Sequence, residues 1–396
     1  MRELTPADHA VRDARRIADG NDALSAETWA SSCLGQAWVQ APLSERDAEH
    51  KLIMGVIGRV SNRPSPHGTA AVAALRRVAE PRERVMLDET LEILAETQPV
   101  PPWMDAPDWV PVAAYRSLDV WEARRVLFVD FDGPRPHTLL TAVSEVGGRL
   151  VVELALVEPG SAAKWGERGG GGELPPMQPL VELPVDEVLA DLADAMRQTD
   201  ITLPRQADED YVALRALAWA RCRAHLRPFP DVEPLADTQR RELVDAFVGS
   251  GGLPDDDLAR SLAELFLDYG DGYLPVRPLG WDPDSVALFL VDWLPRKATL
   301  DAAQRAALPD TLRHWVRFAL AQRGVAPEWI DPVVTAVDEH RADFDEAFDD
   351  ESSWGPAKRI VAELTARGVD LSDKVAVEQA IAALNAENMV QRLLPE

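Results

Sequence analysis

Apolar residues recur every three or four positions through the first hundred residues, which is the spacing of one buried face of an α-helix. The clearest case is the segment 45–60, where Leu52, Ile53 and Val56 share one face. The same spacing predicts further helices at residues 8–18, 25–38, 69–78 and 82–96. A proline-rich stretch at residues 98–111 ends this helical array, because proline disfavours the helical conformation in the residue before it.

The pattern then changes from helical to extended. Residues 125–132 are rich in β-branched and aromatic side chains, which favours a strand. A Gly-Pro turn leads to a second predicted strand at 137–146, and a Gly-Gly pair, which is a hairpin signal, leads to a third at 149–157. We predict an antiparallel meander of at least these three strands, and residues 112–118 are a candidate fourth strand.

The helical spacing returns at residue 185 and continues to the end of the chain. The intervening segment, 159–184, is rich in glycine and proline and predicts a linker, either flexible or an ordered loop of low complexity. We therefore predict a helical array plus β-meander at 1–158, a linker at 159–184, and a helical domain at 185–396. The predicted fold class is α+β and mainly helical, with a small antiparallel β-meander between an N-terminal helical array and a C-terminal helical domain.

Charge narrows the range of partners. Acidic residues outnumber basic ones by 67 to 41, which gives a formal net charge of −26. Nucleic acids and anionic membranes are bound by basic surfaces, and the chain has no long basic run, so direct binding of either is not expected. The charge favours solubility or a protein partner with a basic face, and adaptation to a salt-rich host would give the same acidic surface. The 12 tryptophans supply large apolar surfaces suited to a core or an interface.

The two cysteines, Cys33 and Cys222, lie far apart and in no metal-binding pattern. Neither a disulfide framework nor a zinc site is predicted, and no cofactor is implied. The N-terminal residues do not resemble a signal peptide, and no run of 18 apolar residues occurs. We expect a cytoplasmic protein without a membrane span.

Residues 127–133 resemble the first motif of haloacid-dehalogenase-type phosphohydrolases, in which a strand ends in two aspartates before a glycine. The resemblance implies that Asp130 is a nucleophile and Asp132 a general acid and base, both near a magnesium ion. Alternate residues of a strand share a face, which suits this pairing. However, Pro134 stands where the motif has threonine, and a strand-like segment follows. Solvent-facing aspartates on an antiparallel strand are the simpler interpretation.

The segment around Trp293 is the second candidate site. A predicted helix carries Phe289 and Trp293 and then exposes Arg296 and Lys297, a compact positive spot on an acidic chain. Such a spot could steer an acidic patch of a partner protein, with Trp293 as the anchor. Two simpler interpretations compete with this hypothesis. The two cations suit the C-terminal end of a helix, and helical spacing aligns Trp293 with Phe289 in a core stripe.

Residues 268–273, Asp-Tyr-Gly-Asp-Gly-Tyr, are acidic and rich in glycine. A calcium-binding loop has alternating ligands and a distal glutamate, and this segment lacks both. We interpret it as the end of a helix followed by a turn.

Four segments together resemble a family of hypothetical proteins from high-GC Gram-positive bacteria. They are residues 102–139 in the N-terminal half and residues 288–297, 315–318 and 354–358 in the C-terminal half. The resemblance extends over most of the chain, but it implies no activity, cofactor or catalytic residue.

Two functions follow from these patterns. The many tryptophans, the helical array and the acidic surface favour a cytoplasmic interaction or regulatory protein without catalytic activity. The alternative is a metal-dependent phosphohydrolase centred on Asp130 and Asp132. Both stay open at the level of sequence, because catalytic groups from distant segments need only meet in space.

Overall fold

The computed structural model describes residues 4–168, 177–369, 373 and 376–383. This part of the chain is mainly helical, with one antiparallel sheet in the middle and helices before and after it, which confirms the predicted α+β class.

Helices flank the sheet in sequence. Those before it are α1 (Pro6–Asp13), α2 (Arg15–Ala18), α3 (Ala23–Gln40), α4 (Ala48–Asn62), α5 (Pro66–Val78) and α6 (Pro81–Ala95). Those after its first four strands are α7 (Ser161–Arg168), α8 (Val185–Ile201), α9 (Glu209–Cys222), α10 (Asp237–Gly249), α11 (Asp257–Tyr273), α12 (Pro283–Ala287), α13 (Leu294–Lys297), α14 (Ala302–Gln322), α15 (Pro327–Glu339), α16 (Arg341–Asp349) and α17 (Pro356–Ala366). Short 3₁₀ turns span Arg223–His225 and Glu351–Ser353, a π-helical turn spans Leu288–Trp293, and residues 376–383 are also helical.

Local capping explains where several of these helices begin. The Ser65 hydroxyl accepts the N–H of Gly68 at 3.1 Å at the start of α5, and the Asp256 carboxylate accepts the N–H of Ala259 at 2.8 Å at the start of α11. Each bond satisfies a backbone donor that has no partner within the first helical turn.

The sheet has five strands in the order β4-β3-β2-β1-β5. They are β1 (Val110–Leu118), β2 (Arg124–Asp132), β3 (His137–Ser144), β4 (Leu150–Val157) and β5 (Val181–Glu182). The three predicted strands and the candidate fourth are therefore present as an antiparallel meander. The two-residue strand β5, which pairs with Tyr115 and Arg116 of β1, was not predicted because it is too short to carry an alternating pattern.

Alternation along β2 gives the sheet two apolar faces. Leu127 and Val129 face the large core that includes side chains of α3, α8 and α9. Val126 and Phe128 face a smaller cluster, which α7 covers with Trp165, whose ring centroid lies 5.7 Å from that of Phe128. The described parts of the predicted linker therefore include residues that pack on the sheet, while residues 169–176 lie outside the described residues.

The chain divides into two compact units, Met1–Asp231 and Val232–Glu396. This division falls at a different point from the predicted linker at 159–184. The reason is that α8 and α9, which follow that segment, bury their apolar faces with the sheet and α3 in the core of the first unit.

The second unit is built around aromatic side chains. Phe266 of α11 lies 5.7 Å from Phe289 and 5.8 Å from Trp315 of α14, measured between ring centroids, and all three side chains are fully buried. Aromatic pairs at such separations add stabilisation beyond the area that they bury.

We predict opposite effects for two glycine substitutions in the first unit. Gly35 lies where α3 crosses α9, and an added Cβ would stand 1.8 Å from the carbonyl oxygen of Val212. Gly35→Ala should therefore lower the free energy of unfolding by about 1–3 kcal/mol or more, as overpacked cores do. Gly58 of α4 has no atom within 4 Å of its Cβ position, so Gly58→Ala should raise stability by about 0.5–1 kcal/mol.

Urea unfolding followed by circular dichroism would measure both changes. Equal stabilities of the two variants would contradict the close approach of α3 and α9.

Candidate partner-binding surface

Asp130 and Asp132 occupy neighbouring positions on one face of β2, but with different surroundings. Asp130 is partly exposed, and its carboxylate accepts a hydrogen bond from the hydroxyl of Thr138 on β3. Asp132 is exposed and accepts the N–H of Gly133 at 2.8 Å. Among the described residues, no group of three or more His, Cys, Asp or Glu side chains is arranged to hold a metal ion. Asp130 is thus tied to the neighbouring strand, whereas Asp132 lies exposed at the end of β2.

Trp293 ends a π-helical turn in the second unit. The N–H of Leu294 donates to the carbonyl oxygen of Phe289, five residues earlier. This bond places Leu294, rather than Trp293, one turn after Phe289, and both Leu294 and Phe289 are fully buried. Trp293 consequently lies at the edge of the core and is only partly buried, whereas regular helical spacing had aligned it with the core stripe.

Trp293 packs against three other aromatic rings. Its centroid lies 5.6 Å from that of Phe289, 5.6 Å from that of Tyr269 and 6.1 Å from that of Tyr273. Phe289 and Tyr269 are fully buried, whereas Tyr273 is 42% exposed. Tyr273 stacks on Tyr269 at an interplanar angle of 9° and meets Trp293 at 70°. We call Tyr273 and Trp293 together the aromatic corner, since their two rings form an angled pair above a buried aromatic base.

Ring packing, more than hydrogen bonding, fixes the aromatic corner. The indole Nε1 of Trp293 is buried and has no acceptor among the described residues. Tyr269, in the base, is held at its hydroxyl, which donates to the carbonyl oxygen of Ser285 at 3.1 Å. The corner is therefore positioned by the buried rings beneath it.

The predicted cationic spot is partly neutralised. Nη1 of Arg296 donates to both carboxylate oxygens of Asp292, at 3.0 and 2.9 Å, and about half of each side chain is exposed. Lys297 is exposed at the end of α13. Arg296 thus forms an ion pair between positions i and i+4, and its charge is compensated next to the aromatic corner.

Two residues from the segment 354–358 form hydrogen bonds with the backbone of α13. The Gly355 N–H donates to the carbonyl oxygen of Arg296 at 3.2 Å, and Nζ of Lys358 donates to the carbonyl oxygen of Pro295 at 3.0 Å. The Lys358 ammonium also lies 3.8 Å from the ring centroid of Phe348 and 4.9 Å from that of Trp354. The segments 288–297 and 354–358, which the family resemblance singled out, therefore touch in the folded chain.

Lys358 is only 7% exposed, although its side chain is charged at neutral pH. Burial, together with the smaller effect of the nearby Arg305 guanidinium, lowers its pKa from 10.5 to about 8. The two rings and one carbonyl oxygen replace part of the hydration that the ammonium loses.

Tyr273 and Lys358 belong to this site, but sequence reasoning did not assign either of them to it. Tyr273 was interpreted only as the end of an acidic helix, which it is, since α11 ends there. Its helical spacing from Tyr269, four residues earlier, was the available signal. For Lys358 the available signal was weak, because Trp354 lies four positions before it but the carbonyl group that it binds, that of Pro295, lies 63 residues away.

Comparison with protein-family models, with curated proteins and with solved structures finds no match, so the resemblance to hypothetical proteins from high-GC Gram-positive bacteria stays a prediction. Within the described ranges, no helix has both the length and the apolar character that a membrane crossing requires.

We predict that Lys358 makes the free energy of unfolding vary with pH in the alkaline range. Its pKa in the folded chain, about 8, lies below the ordinary 10.5, so the unfolded chain binds more protons at this position between those pH values. The free energy of unfolding should therefore rise with pH through this window. Lys358→Met keeps an apolar stem of similar length and removes the titrating group, so its stability should lack this rise.

The measurement is urea unfolding of both full-length proteins at about pH 7.5 and about pH 9.5, where the linkage should be visible. All other titrating groups are shared, so the difference between the proteins isolates Lys358. A constant difference at the two pH values would contradict the prediction.

Proposed function

We propose that this chain is an interaction protein without catalytic activity, and that the aromatic corner, with Arg296 and Lys297 beside it, is the surface that a protein partner contacts. The observation that carries the proposal is the position of Tyr273 and Trp293. Tyr273 is 42% exposed and Trp293 is partly exposed, yet both rest on fully buried rings.

Such an arrangement suits an anchor for binding. Tyrosine and tryptophan are enriched among the residues that contribute most to the affinity of protein interfaces. A ring that is already held by its neighbours loses little conformational freedom when a partner covers it. Exposed aromatic rings on mobile segments would not have this advantage.

Arg296 and Lys297 are suited to the rim of the contact. Arg296 already shares its charge with Asp292, and exposed ion pairs of this kind contribute little to stability. A rim charge mainly affects the rate of association and its dependence on salt. The aromatic corner should therefore contribute more affinity than the two cations.

The proposal predicts a specific crosslink. A photo-reactive amino acid in place of Lys297, which is exposed beside the corner, should form one discrete adduct in cells that make the protein. The matched control places the same amino acid at Phe229, which is 61% exposed in the first unit, and should not give that adduct. In the Lys297-labelled protein, Trp293→Ala or Tyr273→Ala should reduce the adduct about tenfold or more, whereas Arg296→Ala should reduce it less than about threefold.

Circular dichroism and thermal unfolding of each variant would separate lost binding from lost folding. If Trp293→Ala unfolds the second unit, the more exposed Tyr273→Ala provides the decisive comparison. An adduct that is equally strong in Tyr273→Ala, or that also forms from position 229, would refute the assignment of this surface.

A further inference from the structure

We propose that the aromatic corner recognises the guanidinium group of an arginine in a basic segment of the partner protein. This inference rests on the proposed function, because it names the chemistry of the partner at the same surface. It differs from the hypothesis built on Arg296 and Lys297, which pointed to an acidic partner, and agrees with the net charge of the chain, which favours a partner with a basic face.

The first support is the geometry of the rings. Tyr269 stacks almost parallel to Tyr273, and Phe289 lies at 26° to Trp293, so a buried ring covers one face of each ring in the corner. The centroids of Tyr273 and Trp293 are 6.1 Å apart, at an interplanar angle of 70°. A cation is attracted to an aromatic face within about 6 Å of its centroid, and Tyr273, which is 42% exposed and meets Trp293 in an edge contact, is the ring of the corner that a partner can reach most easily.

The second support is that the chain uses the same contact internally. The guanidinium carbon of Arg197 lies 3.8 Å from the ring centroid of Phe229, and that of Arg215 lies 4.4 Å from a ring of Trp38. These pairs show how a planar guanidinium packs on a ring in this fold. Arginine suits such a site better than lysine, because its planar group stacks and is less strongly hydrated.

The third support is charge. Acidic residues outnumber basic ones by about two to one in residues 232–396, so the field of this unit attracts cations. At the corner itself, Asp292 precedes Trp293 and is about half exposed. Its pairing with Arg296 is a surface ion pair, which an incoming guanidinium can share at little cost.

An acidic partner fits this surface less well. Its carboxylates would meet the electron-rich faces of Tyr273 and Trp293 and the negative field of the unit. Because Asp292 compensates Arg296, the positive charge offered by the end of α13 is smaller than the sequence indicates.

The test uses the full-length chain and fluorescently labelled flexible peptides of Gly and Ser that carry four arginines. Matched peptides replace every arginine with lysine, with neutral citrulline or with glutamate. Fluorescence anisotropy should give the tightest binding for arginine, weaker binding for lysine, and the weakest for citrulline and glutamate. Tyr273→Ala should weaken the arginine peptide about fivefold, as expected for loss of one cation–π contact.

Two variants control for other causes. Tyr273→Phe keeps the ring and should retain most of the binding. Phe229→Ala removes an exposed ring that Arg197 already covers, and it should leave the affinity unchanged. Nonspecific attraction to an acidic protein would instead be the same in wild type, Tyr273→Ala and Phe229→Ala, and that result would overturn the inference.

The outcomes also separate this inference from the proposed function. If the crosslink from position 297 depends on Tyr273 but arginine peptides bind no better than glutamate peptides, the surface is an interface and its cationic chemistry is wrong. If the crosslink is absent while the arginine peptide depends on Tyr273, the cation site stands and the proposed cellular contact falls. Loss of both effects overturns both proposals.

Discussion

The packing of one buried ring, that of Tyr269, supports the whole candidate surface. Its centroid lies 4.9 Å from that of Phe289 and 5.5 Å from that of Tyr273, and its hydroxyl donates to the carbonyl oxygen of Ser285. A buried phenol requires such an acceptor, so the hydrogen bond fixes the register between α11 and the start of α12. With that register set, Tyr273 and Trp293 both pack against the Tyr269 ring. Contacts with buried rings therefore determine the positions of the exposed rings.

In the first unit, a buried charge rather than a buried ring determines which elements pack together. Glu27 of α3 is almost fully buried and accepts hydrogen bonds from Nε of Arg77 and Nε1 of Trp109, each at 2.7 Å, and also from Arg221. A buried carboxylate is tolerated only when it is paired and hydrogen-bonded, so α5, α9 and the segment before β1 must all meet α3 at this point. Directional contacts in each unit specify which elements pack together, while apolar burial provides most of the stabilisation.

The fold was predictable where a local pattern determines it. Alternation in residues 125–132 identified β2, and helical spacing at 45–60 identified α4, because both patterns follow from burial of one face. The division after residue 231 was not predictable in this way. Glycine and proline at 159–184 indicate irregular backbone, but they carry no information on whether neighbouring residues such as Trp165 pack on the sheet. That depends on contacts between residues distant in sequence.

At the candidate site, the pairing of individual charges was likewise not predictable from the sequence. The sequence places Arg296 and Lys297 together and Asp292 four positions before Arg296, which allows either a free cationic spot or an ion pair along a helix. The choice depends on the helical phase, and the π-helical turn at 288–293 changes that phase just before these residues. The turn also moves Trp293 out of the core stripe, since Leu294 takes the place after Phe289. This one change in helical geometry therefore leaves the Trp293 ring partly exposed. Arg296, which is paired with Asp292, follows it three residues later. Because of this change, the surface presents partly exposed aromatic rings beside a paired arginine, although the adjacent Arg296 and Lys297 in the sequence suggested a positive patch.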